Sequence, residues 1–375
     1  VWRQASAAST IGGVLAERRP SEEVMATMNL RDGIPPQTYG IGFKEVWEVD
    51  SEHFKVGLVQ HTVGWPLQHD TYGGSFMYHM EPNIILIGMV IGLDYKNPYL
   101  NPYNEFQRWK THPEVRKFLD GGKCISYGAR ALNEGGLQCI PKLTFPGGAL
   151  IGCSAGFINI AKIKGTHTAM KSGILAAETL SAALVAQKKA DGGEGSVASG
   201  EDASSFPSIE VAAYEAEMRE SWVWKELTAV RNVHPAFHYG LLAGMAYSGF
   251  TLEVTGGREP WTFAGPSKPD HLTTGRAADY KPIDYPKPDG KLTFDILANL
   301  SRSGVNHEDD QPAHLRLRDA KLSEWQAGKS LEENAGPEQR FCPARVYEYV
   351  EDEKTKKPKL VINAQNCVHC KTCDI

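Results

Sequence analysis

The sequence predicts a mixed α/β chain of two or three domains. Three observations carry that reading. At 375 residues, 41% of them aliphatic or aromatic, the chain is long and apolar enough for more than one core. A β-type region near the start gives way to a strand–loop–helix pattern in the middle. Four of the seven cysteines fall in the last stretch, as Cys342, Cys367, Cys370 and Cys373.

Residues 1–30 show no clear period, and the amino terminus lacks the basic region and apolar run of a secretory signal. "YGIGFKEVWEVDSEHFKVGLV" (Tyr39–Val59) reads as strands with polar turns. Its "GIGFKE" is no dinucleotide fingerprint, because Glu45 stands where the third glycine belongs and no helical pattern follows. Around Gly73-Gly74 the chain is rich in aromatic residues, and the glycine pair reads as a tight hairpin turn. "NIILIGMVIGLDY" is a continuous apolar run, expected as a strand buried on both faces. "NPYNEFQRWKTHPEVRKFL" is helical in pattern, with Pro113 marking a break or a new start.

"GGALIGCSAGFINIAKIKGTHTAMKSGILAA" reads as a strand, a small-residue loop and a helix opened by Gly165 and Thr166. Free amides at such a helix start suit a phosphate or a flavin carbonyl. Gly152 and Gly156 let a ligand approach the backbone. An ordinary βα unit with a thin helix fits these residues equally well. The polar, glycine-rich stretch at 187–206 reads as a mobile insertion. "SIEVAAYEAEMRESWVWKELTAV" resumes a helix. "YGLLAGMAYSGF" (Tyr239–Phe250) carries no charge and reads equally as a core helix or a membrane-surface anchor. As a helix it is about 18 Å long, short of a ~30 Å hydrocarbon layer. No run of eighteen apolar residues occurs, so no spanning helix is expected. Arg258–Gly290 is proline-rich and irregular, and "HLRLRD", "RVYEYV" and "KLVINA" read as short strands.

The cysteines carry the sharpest signal. Zinc knuckles use two separated C-x-x-C pairs. Here Cys367, Cys370 and Cys373 follow one another at three-residue steps, with Cys342-Pro343 upstream. A tight loop for three iron corners and a remote Cys-Pro for the fourth suit a cubane cluster. The alternation in "RVYEYVEDEKTKKPKLVIN" predicts a hairpin that returns Cys342 to Cys367. His369 reads as a solvent-side residue. The net charge of −5 argues against a nucleic-acid partner.

Taken together, "QTYGIGFKEVWEV", "HTVGWPL", "TYGGSF", "KLTFPGGALIGCSAGF", "KIKGTHTAMKSGILAAE", "SWVWKEL", "EPWT", "GPEQRFCPA" and "INAQNCVHCKTCDI" resemble the electron-transfer flavoprotein–ubiquinone oxidoreductase family. The resemblance runs from about Gln37 to the end, interrupted at 187–206. It implies part of a glutathione-reductase-like FAD domain, an inserted β-rich quinone domain and a C-terminal ferredoxin-like 4Fe-4S domain. The implied division is 1–36 irregular, 37–130 quinone-binding, 131–240 the second half of the FAD domain, 239–254 a membrane-surface segment and 285–375 the cluster domain.

By the same resemblance, electrons pass from reduced electron-transfer flavoprotein, through a 4Fe-4S cluster and FAD, to ubiquinone. The implied place is a mitochondrial inner membrane, on its matrix face, or a bacterial membrane in a prokaryote. Cys342, Cys367, Cys370 and Cys373 match the cluster ligands, and Gly73 and Gly74 match the quinone-contacting glycines. Gly152, Gly156, Gly165 and Thr166 are the candidate FAD contacts. No catalytic acid or base is required, and His61, His69 and His79 are not separable as proton sources. The family's FAD-gripping strand–turn–helix and its proline-rich tail are missing, so the chain is expected to be a fragment. Two rival classes are an isoprenoid-lipid reductase using flavin and a non-enzymatic ferredoxin-like carrier.

Overall fold

The computed structural model describes residues 13–15, 18–190, 210–316 and 326–374. The chain is mixed α/β. Its elements begin with β1 (Gly13–Leu15), α1 (Arg18–Thr27), β2 (Tyr39–Glu48), β3 (Val59–Val63), β4 (Gly73–Met80) and β5 (Ile84–Gly92). There follow α2 (Pro102–Lys110), α3 (Pro113–Leu119), β6 (Lys123–Asn133), β7 (Thr144–Phe145), β8 (Gly148–Leu150) and α4 (Thr166–Ala190). Then come α5 (Ala212–Glu220), α6 (Trp222–Ala229), α7 (Val233–Ala236), α8 (Leu241–Gly249) and α9 (Ile296–Leu300). The last are α10 (Glu338–Phe341), β9 (Tyr347–Glu351) and β10 (Pro358–Ile362).

The chain divides into two compact units, residues 1–38 with 133–268 and residues 39–132 with 269–375. The sequence reading kept 37–130 and 285–375 apart. In the structure they share one core, in which Leu292, Phe294 and Cys370 pack with Phe43, Trp47 and Tyr127.

In this second unit the sheet order is β3-β4-β5-β2-β6. Its pairing is antiparallel from β3 through β2, with Phe76 opposite Gly88 and Phe43 opposite Met89. One face packs on α2, through Phe106 and Trp109. β5 was expected to be buried on both sides. Instead Ile85, Ile87 and Ile91 are buried while Ile84, Leu86 and Val90 are only half-buried. β2 and β4 alternate in the same way, which is the period-2 signature of a sheet with one covered face. Prolines open α2 and α3, and Asn101 and His112 cap them by accepting from the amides of Asn104 and Glu114.

A buried ion pair ties the early strands to the C-terminal stretch. Both oxygens of Glu45 lie 3.0 Å from Lys110 Nζ, and both side chains are fully buried. Trp47, Gln107 and Asn299 donate to the same carboxylate at 2.7, 3.2 and 2.7 Å. Burial lowers the Lys110 pKa and Glu45 resists the shift. Charges removed from water are tolerated where every lone pair finds a donor, as here.

In the first unit β1 pairs in parallel with β8, and β8 pairs with β7. Its core gathers Met25, Leu143, Leu150, Phe157, Leu175, Tyr214 and Val223. Residues 18–27 were read as irregular and are helical. Pro20 is tolerated there because it sits in the first turn, where its missing N–H costs nothing. The helix expected from "SIEVAAYEAEMRESWVWKELTAV" breaks at Ser221, whose extended backbone (φ −69°, ψ 162°) separates α5 from α6. By length and composition alone, Thr166–Gln187 within α4 is long and apolar enough to cross a membrane, although no spanning helix was expected from its sequence. Its Leu175 and Ala176 belong to this unit's core. Of the expected insertion, residues 191–206 lie outside the described residues. "HLRLRD" is not a strand over 314–316, and its remainder is also outside them.

Candidate functional site

The expected hairpin forms. β9 and β10 pair antiparallel from Tyr347–Ile362 to Glu351–Pro358, and the Asn363 amide donates to the Val346 carbonyl at 2.7 Å. That closure brings Cys342 beside Cys367. Cys342, Cys367, Cys370 and Cys373 line a single pocket, walled by Phe341, Pro343, Ala344, Val346, Tyr347 and Val368. A one-turn helix, α10, ends just before Cys342, and the three clustered cysteines follow β10 after a single 3-10 turn at Ala364–Asn366. His369 and Lys371 take left-handed backbone (φ 54° and 69°), a tight curl along which Cys367, Cys370 and Cys373 all line the pocket.

The donor chemistry fits an iron–sulfur cluster. Four sulfurs are present, and among the described residues the pocket lining holds no competing carboxylate. Backbone amides point at the sulfurs: Val346 N–H donates to Cys342 Sγ at 3.4 Å and His369 N–H to Cys367 Sγ at 3.3 Å. Thr372 Oγ1 lies 3.3 Å from Cys370 Sγ, and the Tyr347 side chain, also in the pocket wall, opposes the rise that burial imposes on the Cys373 thiol. Burial pushes the Cys342 thiol up to about 12 and Cys370 up to about 11. Such thiols ionise only when a cation takes the proton's place. The pocket is seated on the sheet by Tyr127, whose hydroxyl donates to the Pro343 carbonyl at 2.8 Å, and by the Ala131 amide, which donates to the Cys370 carbonyl at 2.8 Å. Sequence reasoning missed Tyr347 and Thr372. Thr372 sits between two cysteines, which is a usable signal; Tyr347 carries none beyond its place in a strand.

Gly73 and Gly74 are the first two residues of β4, not a hairpin turn. A Cβ on Gly73 would lie 2.5 Å from the Val90 carbonyl oxygen, and one on Gly74 would lie 2.9 Å from that of Thr62. Strand packing alone therefore requires both glycines. Gly88 was overlooked: a Cβ there would meet the Phe76 ring at 2.3 Å. The Phe76 ring lies over that glycine and stacks on Tyr78, with ring centres 5.0 Å apart. Tyr78 in turn meets His61 at 3.2 Å. Trp65 faces His112 and Arg108. His79 is buried against Phe54 and Phe118, its pKa lowered by that burial.

In the first unit α4 starts at Thr166, directly after Gly165. Gly152 and Gly156 have left-handed backbone (φ 63° and 93°), so glycine is needed at both. Their amides are already engaged, Gly152 with Ser172 Oγ at 2.9 Å and Gly156 with the Cys153 carbonyl at 3.0 Å.

The segment read as core helix or anchor is largely exposed in this structure. Within α8 only Gly244 is buried. Leu242 is 82% exposed, Tyr239 75% and Val254 72%. Arg231 holds the loop behind this segment by donating to the carbonyls of Gly257, Glu259 and Trp261.

Residues 39–132 match the family profile described as ETF-QO, ubiquinone-binding. Residues 290–375 match the one described as Electron transfer flavoprotein-ubiquinone oxidoreductase, 4Fe-4S. The chain is 53% identical over 361 residues to the mitochondrial electron transfer flavoprotein-ubiquinone oxidoreductase of Bos taurus, covering 95% of this chain and 55% of that protein. It is 52% identical over 360 residues to the Homo sapiens protein of the same name, covering 95% and 55%. The chain thus spans about half the length of these curated relatives. Among solved structures, a geranylgeranyl bacteriochlorophyll reductase-like protein from Thermoplasma acidophilum overlaps at a TM-score of 0.38 and 14% identity, covering 59% of this chain and 46% of that one. So loose an overlap carries no argument.

Proposed function

Since this chain belongs to the electron-transfer flavoprotein–ubiquinone oxidoreductase family, we propose that it is the part of such an enzyme that holds the 4Fe-4S cluster and receives the quinone. The reaction is electron transfer from reduced electron-transfer flavoprotein, by way of the cluster and FAD, to ubiquinone. The observation that carries the reading is the convergence of Cys342, Cys367, Cys370 and Cys373 on one apolar pocket. When bound, the cluster exchanges single electrons, and FAD joins one-electron delivery to the two-electron reduction of a quinone.

The chain's own residues supply geometry and shielding. The four thiolates would hold the irons, and the amides of Val346 and His369 hold two of the sulfurs in place. Phe341, Val346 and Val368 would keep water off a cluster bound there, limiting solvent reorganisation during transfer. Gly74 leaves the open face of β4 bare, and Phe76 and Tyr78 on that face offer stacked rings for a quinone head group. For FAD, the N-terminus of α4 at Gly165-Thr166 supplies amides, and Gly152 and Gly156 supply backbone without a Cβ.

The domain division follows the same reading: 37–130 receives the quinone, 131–240 belongs to the FAD domain and 285–375 holds the cluster. The exposed Tyr239, Leu242, Met245, Phe250 and Val254 form the surface that rests in the membrane interface, and the place is the mitochondrial inner membrane.

Iron and sulfide analysis of anaerobically purified protein tests the central point. Equal iron and sulfide, in the stoichiometry of a 4Fe-4S centre, is the expected outcome. Stoichiometric zinc without iron overturns it. For the membrane surface, replacing Leu242 and Met245 with Glu should abolish flotation with liposomes and leave the circular dichroism spectrum unchanged. A folded double variant that still floats refutes the anchor.

A further inference from the structure

Three imidazoles gather where the cysteine loop begins, and the function above uses none of them. His307, His314 and His369 stand with ring centres 5.5 Å (307–314), 5.0 Å (307–369) and 4.8 Å (314–369) apart. His307 is fastened by its Nε2, 2.9 Å from the Cys367 carbonyl, and by its Nδ1, 3.4 Å from Gln311 Nε2. His314 stacks on that fixed ring at an interplanar angle of 15°. His369 comes two residues after Cys367, and its left-handed backbone folds the loop back over the sulfur. As a result, a ligand atom from each of His314, His369 and Cys367 lies within 4.8 Å of the other two.

Sequence reading took His369 for a solvent-side residue. It is half-buried instead, because the loop curls its ring against the other two. Two imidazoles and a thiolate form a donor set of borderline softness, suited to zinc and unsuited to calcium or magnesium. Zinc bonds of about 2.0–2.3 Å place tetrahedral donors roughly 3.3–3.8 Å apart. The three side chains reach that by closing about 1 Å, with the fourth position left to water.

We propose that His314, His369 and Cys367 form a zinc site that competes with cluster assembly for Cys367. Zinc binding releases the thiol proton to solvent and forms a Zn–S bond, with no change of oxidation state. A thiolate committed to zinc is lost to iron, so zinc in place closes one corner of the cluster site. The competition rests on assigning Cys367 to the cluster; the zinc site itself does not.

The test uses the full chain with its iron removed and its thiols reduced, titrated with Co²⁺, whose thiolate charge-transfer band scales with the number of sulfur ligands. One Co²⁺ per chain with the intensity of one thiolate is expected, displaced by zinc. His314→Phe keeps a ring in the stack and removes the donor nitrogen, and should weaken Co²⁺ binding by about tenfold or more. His369→Asn, which tolerates left-handed backbone, is the second variant should the first fold poorly. Zinc added before iron and sulfide should block reconstitution in the parent chain and far less in His314→Phe. A cobalt spectrum of three or four thiolates, or an unchanged affinity in both variants, overturns the site. If the zinc-free parent chain takes up no iron and sulfide, the cluster assignment fails, and the cobalt spectrum still decides the zinc site.

Discussion

The cysteine loop and the glycine-bearing strand β4 belong to the same compact unit, yet they bear on function very differently. In the loop the candidate chemistry sits on side chains. Sulfur atoms are the ligands, their spacing constrains what they can hold, and folding only has to gather them. In β4 the candidate chemistry is the absence of side chains. Strand packing already demands that absence, since a Cβ on Gly73 would press into the Val90 carbonyl. Four converging cysteines thus point to a ligand, whereas two adjacent glycines are accounted for before any quinone is considered. The residues that separate the two explanations are Phe76 and Tyr78, which pack on each other over the open face of the sheet.

The contrast can be broken most completely at the loop. Cys370→Ala should eliminate the iron–sulfur absorbance and electron paramagnetic resonance signals altogether, with the sheet's circular dichroism retained. Persistence of a full cluster signal would show that Cys370 is not a ligand.

Lys110→Met should affect both regions together. It leaves the Glu45 carboxylate buried without its counter-charge, a loss of about 3–5 kcal/mol. Because Asn299 shares that carboxylate, thermal unfolding should carry the cluster signal and the sheet signal in one transition. Two separate transitions would mean that the early strands and the cluster-bearing stretch are stable apart.

Gly88→Val sharpens the strand side. Its Cβ would fall 2.3 Å from the Phe76 ring and 2.6 Å from the Phe43 carbonyl oxygen, and the overpacking should cost about 1–3 kcal/mol. Phe76→Leu leaves the strand in place and should raise KM for a water-soluble quinone more than it lowers stability. Unchanged quinone kinetics in Phe76→Leu would remove the open face of β4 from the quinone site.

The smallest effect is expected from Tyr347→Phe. Its hydroxyl, in the wall of the same pocket, favours negative charge on Cys373 and so the more negative, reduced cluster. Losing about 1 kcal/mol of that preference corresponds to a midpoint potential lower by about 40 mV. Potentiometric titration reads it directly, and an unshifted or raised potential would show that this hydroxyl does not tune the cluster.

The residue pattern was enough for the hairpin between Cys342 and Cys367, the proline-started pair α2 and α3, and the start of α4 at Thr166. Each depends on local rules: alternation, a fixed φ at proline, and the ligand spacing of a tight loop. Other features needed the chain's distant parts in place. The exposure of Leu242 could not be read from an apolar twelve-residue run, because burial depends on which neighbours arrive and not on the run itself. The half-open face of β5 was hidden because a continuous apolar strand looks the same whether one face is covered or two. The joining of 39–132 to 269–375 rests on contacts such as Asn299 with Glu45, which no local periodicity encodes. The stack of His307, His314 and His369 is the clearest case. Its three rings come from separate turns of chain, and only the curl around Cys367 sets them against one another.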